Sequence, residues 1–308
     1  MEIVLQFVLL ALGFVMLGKG ADWFVEGAAG IAMRFGIPQL VIGLTIVAMG
    51  TSAPEAAVSI AAAMKGNADI TIGNIVGSNI LNILIILGLA ASIVPIAVAR
   101  STVRIEIPFM IGVTALLFYQ GRDGSISLAD GGVLMVAFAV YMMYLYTMAM
   151  KSNVDSDLEE PGLPLGRCLL GAVGGLALII AGSNVTVGAA TSIATYAGLS
   201  ERFIGLTIVA LGTSLPELFT SVAAARRGNA DIAIGNIVGS NIFNILFVVG
   251  LSSLIIDIPF ASAFNFDTYV ALGAAVLLWL CVLRTQRLQR WAGALMLVCY
   301  AAYLGYIL

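Results

Sequence analysis

Residues Gly43–Leu89 read GLTIVAMGTSAPEAAVSIAAAMKGNADITIGNIVGSNILNILIILGL, and Gly205–Leu251 read GLTIVALGTSLPELFTSVAAARRGNADIAIGNIVGSNIFNILFVVGL. The two stretches agree at 34 of 47 positions, at a constant offset of 162 and without a gap. Self-similarity at a fixed offset over this length marks an internal structural repeat. Each copy sets a glutamate directly after a proline, Pro54-Glu55 and Pro216-Glu217, in an otherwise strongly apolar run.

The surroundings define the solvent. Hydrophobic residues make up 61% of the 308-residue chain and charged residues 10%, far from the roughly 25% charged of an ordinary soluble domain. Ten apolar segments can be marked: Ile3–Gly18, Leu40–Met64, Ile70–Val98, Ile105–Tyr119, Gly131–Met150, Leu165–Gly182, Phe203–Ala225, Ile232–Ile256, Tyr269–Leu283 and Trp291–Leu308. Most approach or exceed the roughly 20 residues a helix needs to cross a bilayer. The alternation of a β-barrel is absent. The expected fold is therefore all-α and integral to the membrane, with ten transmembrane helices. Five fall in each half, and an odd number turns the second copy upside down, giving two inverted five-helix repeats. Residues 1–150 form the first, residues 151–164 (KSNVDSDLEEPGLP) a polar linker, and residues 165–308 the second.

The first segment starts at acidic Glu2, lacks a basic leader and runs into GKGADWFVEG, so it reads as a retained helix and not a cleaved signal. With the amino terminus outside, the inward loops carry Arg34, Arg100, Arg104, Lys151, Arg167, Arg226, Arg227, Arg284, Arg287 and Arg290, against Lys65, Arg122 and Arg202 outside. This bias places both termini outside and the linker in the cytoplasm. With no targeting segment and so compact a plan, a prokaryotic plasma membrane is the expected location. Cys168, Cys281 and Cys299 are isolated and read as core residues. The charge run DSDLEE reads as a solvated face, and Asp22 and Glu26 as acids satisfied by Lys19 or water.

Glu55 and Glu217 fall near the middle of their segments, where an ionised carboxylate costs several kcal/mol unless a cation or water compensates it. Pro54 and Pro216 lack an amide hydrogen and clash with the carbonyl four residues back. They loosen the Gly50 and Gly212 oxygens and, by extension, neighbours such as Ala48 and Ala210. Irregular backbone at this depth is tolerated where it lines a cavity or is buried in protein. Helical spacing puts Ser52, Glu55 and Ser59 on one face, and Asn74, Ser78 and Asn82 on another. The second copy repeats these as Ser214, Glu217, Ser221 and Asn236, Ser240, Asn244. Every candidate ligand is a hard oxygen and the chain has no histidine, which disfavours zinc, copper and iron and favours Ca²⁺ or alkali ions. Bland readings compete: GxxxG pairs such as Gly235 and Gly239 pack helices, membrane serines and threonines bond their own backbone, and asparagines bridge helices.

The paired GTSAPE…GNIVGSNILN and GTSLPE…GNIVGSNIFN segments resemble the two α-repeats of the cation/Ca²⁺ exchanger superfamily, in its sodium/calcium exchanger branch. The resemblance implies antiport of Na⁺ against Ca²⁺ by alternating access, with Glu55 and Glu217 central to Ca²⁺ binding. It also implies that Thr51, Ser52, Thr213 and Ser214, with the Ala48 and Ala210 carbonyls, serve Na⁺, joined by Ser78, Asn82, Ser240 and Asn244. Members of this branch often carry an aspartate at the position of Asn244, so this chain offers two site carboxylates where they offer three, and K⁺ dependence and stoichiometry stay open. The large regulatory insert of animal exchangers is missing. Ca²⁺/H⁺ exchange on the same scaffold is the alternative, since either glutamate is able to carry a proton. A passive channel would show no trans-ion requirement, and an intramembrane enzyme lacks a His, a Ser/His combination or a midplane Asp pair. No enzyme activity, cofactor, nucleic acid or obligate protein partner is implied; the partners are the two ions and the bilayer.

Overall fold

The computed structural model describes residues 2–66, 68–152, 163–198 and 210–307. Most of the 151–164 linker, Arg202 and the first residues of the Phe203–Ala225 segment lie outside the described residues. Among those described, eight helices are long and apolar enough to cross a membrane: α1 (Ile3–Arg34), α4 (Thr71–Ile93), α5 (Thr102–Asp123), α6 (Leu128–Lys151), α7 (Leu165–Tyr196), α10 (Ala230–Ile255), α11 (Ala263–Leu283) and α12 (Arg290–Ile307). Taken together, α2 (Gln39–Thr51) and α3 (Ala53–Met64), bent by 51° at their junction, are long and apolar enough to make a ninth. The second copy's α8 (Ala210–Thr213) and α9 (Leu215–Arg226) are broken in the same way.

Both α1 and α7 outrun the apolar segments that announced them. Each has 32 residues, about 48 Å at 1.5 Å per residue, against a hydrocarbon core of about 30 Å. The small-residue runs GAAGIA and GAATSIA continue the helix past Gly18 and Gly182 because the two helices pack backbone to backbone. Gly13, Gly20 and Gly27 recur every seven residues on α1. A Cβ at Gly20 would sit 2.9 Å from the Gly175 carbonyl oxygen and 2.9 Å from the Ile179 amide nitrogen. One at Gly27 would collide with the backbone of Ala172 and Cys168. Small residues at such a seam are what lets membrane helices associate where lipid removes the hydrophobic drive.

At the centre α4 and α10 are the most enclosed helices; nearly every residue of α10 from Ile232 to Phe243 is buried. Gly235 and Gly239 admit α2: added Cβ atoms would lie 3.1 Å from the Gly43 Cα and 2.8 Å from the Ala48 Cβ. These glycines serve packing. Both central helices loosen to π-helix immediately after the repeated GSN, over Asn82–Leu87 and Asn244–Val249.

Two short antiparallel pairs tie the ends. Ile96–Ala97 pairs with Arg287–Leu288, and Ser125–Ile126 with Ile258–Pro259. Adding 162 to Ile96 gives Ile258, and to Ile126 gives Leu288, so the register Ile96↔Leu288 maps onto Ile126↔Ile258. Both strand pairs found among the described residues join one copy to the other.

Candidate functional site

The site begins at two helix breaks. Pro54 and Pro216 occupy the first turn of α3 and α9, where a missing amide hydrogen costs nothing. Continuing α2 straight through Pro54 would leave the Gly50 carbonyl without its donor and in collision with the ring. The chain turns instead at Ser52 (φ −81°, ψ 4°) and, in the other copy, at Ser214 (φ −90°, ψ 3°). The loosening stops at that carbonyl. Ala48, suggested by the sequence as a second free acceptor, takes the Ser52 amide at 3.0 Å and faces the Ser240 hydroxyl at 3.3 Å.

Each break delivers its glutamate to the other copy. Ser52 Oγ donates to Glu217 Oε1 at 2.8 Å, and Ser214 Oγ to Glu55 Oε1 at 3.3 Å. Both carboxylates are 1% exposed, and they lie close enough to interact electrostatically. Among the described residues no arginine or lysine pairs with either glutamate; the ion pairs are those of Arg227 with Asp22 and Glu26. The remaining oxygens, Glu55 Oε2 and Glu217 Oε2, have no hydrogen-bond donor.

The asparagines divide into three jobs. Asn74 Nδ2 donates to Ser59 Oγ at 2.9 Å and Asn236 Nδ2 to Ser221 Oγ at 2.9 Å, tying each central helix to its own broken helix. Asn79 and Asn241, which helical spacing did not single out, exchange amides across the pseudo-twofold axis. Each donates Nδ2 to the other's backbone carbonyl at 3.2 Å. The Asn241 side-chain oxygen then accepts from Asn82 Nδ2 at 2.9 Å, and that of Asn79 from Asn244 Nδ2 at 3.1 Å. An amide whose nitrogen is engaged must turn its oxygen the other way. Asn82 Oδ1 and Asn244 Oδ1 are accordingly buried without a donor.

Of the other sequence candidates, Thr51 Oγ1 lies 3.0 Å from both the Val47 carbonyl and Asn236 Oδ1. Ser78 and Ser240 are buried on the central helices, Thr213 closes α8, and Ala210 opens it. The breaks bring Thr51, Ser52 and Ser214 to the same junctions as the glutamates. Residues the spacing missed include Ser183 on α7, whose hydroxyl donates to the Gly212 carbonyl at 2.7 Å. Asp22 and Glu26 are satisfied by neither Lys19 nor water alone, because Arg227 reaches both at 3.2 Å.

Comparison with known proteins points one way. A family described as "Sodium/calcium exchanger protein" matches residues 5–147 and 168–308. The chain is 40% identical over 260 residues to the inner membrane protein YrbG of Escherichia coli (strain K12), covering 80% of this chain and 79% of that one. It is 33% identical over a 350-residue alignment to the sodium/calcium exchanger MaX1 of Methanosarcina acetivorans, covering 98% of each. The fold superposes on the sodium-calcium exchanger NCX_Mj, soaked with zero Na⁺ and Ca²⁺, with a TM-score of 0.87 and 33% identity, over 99% of this chain and 100% of that one.

Proposed function

Because this chain belongs to the sodium/calcium exchanger family, we propose that it exchanges about three Na⁺ for one Ca²⁺ by alternating access, electrogenically. It is an integral membrane protein, and cation/Ca²⁺ antiport is the activity of the family to which it belongs. The observation that carries the finer reading is a set of four donor-less buried oxygens, Glu55 Oε2, Glu217 Oε2, Asn82 Oδ1 and Asn244 Oδ1. They form two pairs related by the 162-residue offset. A buried oxygen without a donor is costly, and a hard cation is the partner these oxygens lack.

In this reading Glu55 and Glu217 bind Ca²⁺, with Asn82 and Asn244 as neutral ligands. Thr51, Ser52, Thr213, Ser214, Ser78, Ser240 and the Ala48 and Ala210 carbonyls serve Na⁺. The plan is ten helices in two inverted copies, residues 1–150 and 165–308 about a cytoplasmic linker, with both termini outside a prokaryotic plasma membrane. Two separate family matches, one in each half, support two copies. Two glutamates neutralise one Ca²⁺ or two Na⁺, so a third Na⁺ loads the site to +1. Against a 10⁴-fold gradient and 100 mV, exporting Ca²⁺ costs about 10 kcal/mol, and each Na⁺ entering down a tenfold gradient returns about 3.7 kcal/mol. Two fall short and three suffice. Two bare carboxylates in a closing, dry cavity are expensive, so only an occupied site crosses, which is what antiport requires.

The experiment is ⁴⁵Ca²⁺ flux into proteoliposomes under imposed Na⁺ or H⁺ gradients with the voltage clamped by ionophore. Na⁺-driven, voltage-sensitive flux is expected. Flux driven by a pH gradient alone would replace Na⁺ with H⁺ as the coupling ion, and indifference to voltage would rule out a 3:1 ratio.

A further inference from the structure

Away from the exchange site, the structure holds a groove of about 520 Å³ where α1 meets the start of α7, lined in part by Trp23, Glu26, Gly27, Arg167, Gly171 and Gly174. Its volume is that of a small-molecule site. Gly27 and Gly171 press the two backbones together behind the groove, and among the described residues nothing lies within 4 Å of a Cβ added at Gly174, which leaves open space there. Trp23 stands 52% exposed at the rim, as tryptophans do at the level of lipid headgroups. Arg167 lies in the first turn of α7, where a helix leaves the interface, and it has no ion-pair partner among the described residues. Glu26 keeps one oxygen on Arg227 at 3.2 Å, and its side chain is 50% exposed.

We propose that this groove is a binding site for one phospholipid with a primary-amine headgroup, phosphatidylethanolamine. Its phosphate sits on Arg167, its ammonium on Glu26 and an acyl chain in the open space at Gly174. The charge pattern selects the headgroup. One cation and one anion at the rim match a zwitterion. Choline has no N–H to donate to Glu26, and a glycerol headgroup has no cation to meet it. Basic pockets between membrane helices hold lipid headgroups, and an Arg–phosphate contact is charge-assisted and directional.

The test uses the full chain reconstituted in vesicles of equal phosphatidylethanolamine, phosphatidylglycerol and phosphatidylcholine, extracted gently and weighed by native mass spectrometry. Phosphatidylethanolamine is expected to be retained about tenfold over the other two, the worth of one good charged contact. Gly174→Leu, whose Cβ has open space around it among the described residues, removes the bound lipid. Arg167→Gln, at an exposed position, erases the preference and keeps the test alive should Gly174→Leu not fold. Equal retention of the three lipids, preference for phosphatidylglycerol, or unchanged retention in both variants would overturn the proposal. Na⁺-driven flux measured on the same samples separates that outcome from a failure of the exchange reading.

Discussion

The side-chain contacts at the middle of this molecule obey its repeat and those at the rim do not, although the paired strands at the ends keep the register. At the centre, contact after contact recurs at the 162-residue offset: Ser52 to Glu217 with Ser214 to Glu55, Asn82 to Asn241 with Asn244 to Asn79, and Asn74 to Ser59 with Asn236 to Ser221. Toward the ends the copies part company. Glu106 is fully buried and accepts from Tyr144 on α6. The second copy makes its acid–tyrosine bond at shifted positions, with Tyr303 donating to Asp267 at 2.8 Å. Adding 162 to Glu106 and Tyr144 gives Thr268 and Tyr306, neither of which takes that role. Arg227 grips Asp22 and Glu26, while its counterpart Lys65 has Asn184 and Gly188 at the matching positions of α7. Symmetry is kept where, in the proposed alternating-access cycle, one site would look the same from both sides, and relaxed where nothing need be shared.

The largest effect should come from breaking the centre. Glu55→Gln or Glu217→Gln leaves the other carboxylate without the cation-binding partner that justifies its burial. Each is expected to lower Ca²⁺ affinity about a hundredfold or more, in line with about 3 kcal/mol for removing one member of a buried charged group. The two losses should be alike, because each glutamate has the same kind of partner. Titration of ⁴⁵Ca²⁺ binding on the purified variants reads this directly. Full Ca²⁺ transport in both variants would overturn the residue assignment, and a loss confined to one would break the equivalence of the copies.

Next in size is the layer that aims the ligands. Asn79→Ala removes both the oxygen that holds the Asn244 amide and a donor to the Asn241 carbonyl. Each variant, Asn79→Ala or Asn241→Ala, is expected to destabilise the fold by about 1–3 kcal/mol through groups left buried and unpaired, seen as a lower thermal midpoint in detergent. A positioning role adds a sharper sign. Freed from Asn79, the Asn244 amide is able to flip, so Ca²⁺ affinity should fall more than Na⁺ affinity. A loss of stability with both affinities unchanged would leave these asparagines as helix bridges alone.

The carboxylates were legible because a proline and a glutamate repeated in an apolar run violate local preference twice, in the same way. Asn79 was not, for a geometric reason. Reading i, i+4, i+8 from Asn74 collects one helix face, and Asn79 stands one residue past Ser78, about 100° round, on the face that meets the other copy. Contacts made across a pseudo-axis leave no trace in the period of either helix. The full length of α1 was hidden similarly, because Gly and Ala lower the apparent hydrophobicity of a stretch that is buried against another backbone. The Arg227 contacts span more than 200 residues, and no spacing rule reaches that far.

The smallest predicted effect concerns that same arginine and is the most specific test of the contrast. We propose in addition that α1 and α7, packed on one another, slide against the ligand-bearing helices as access alternates; Arg227, at the end of α9, then binds α1 across that boundary. Among the described residues Lys65 has no ion pair, so there the contact is found at one end of the molecule. It therefore adds its free energy to one access state and nothing to its mirror image. Half-exposed ion pairs contribute about 0.2–1 kcal/mol, and Arg227 makes a bridge to each of two acids. Arg227→Gln is thus expected to shift the balance of inward-facing and outward-facing protein by up to about fivefold, leaving Ca²⁺ affinity at the occluded site unchanged. Lys65→Gln should shift it little. Cysteine accessibility at either end, read with a membrane-impermeant reagent in oriented vesicles, measures the balance. High salt should mimic Arg227→Gln in the wild type and do nothing further to the variant. Equal shifts from both substitutions would mean the rim is as symmetric in energy as the centre is in geometry.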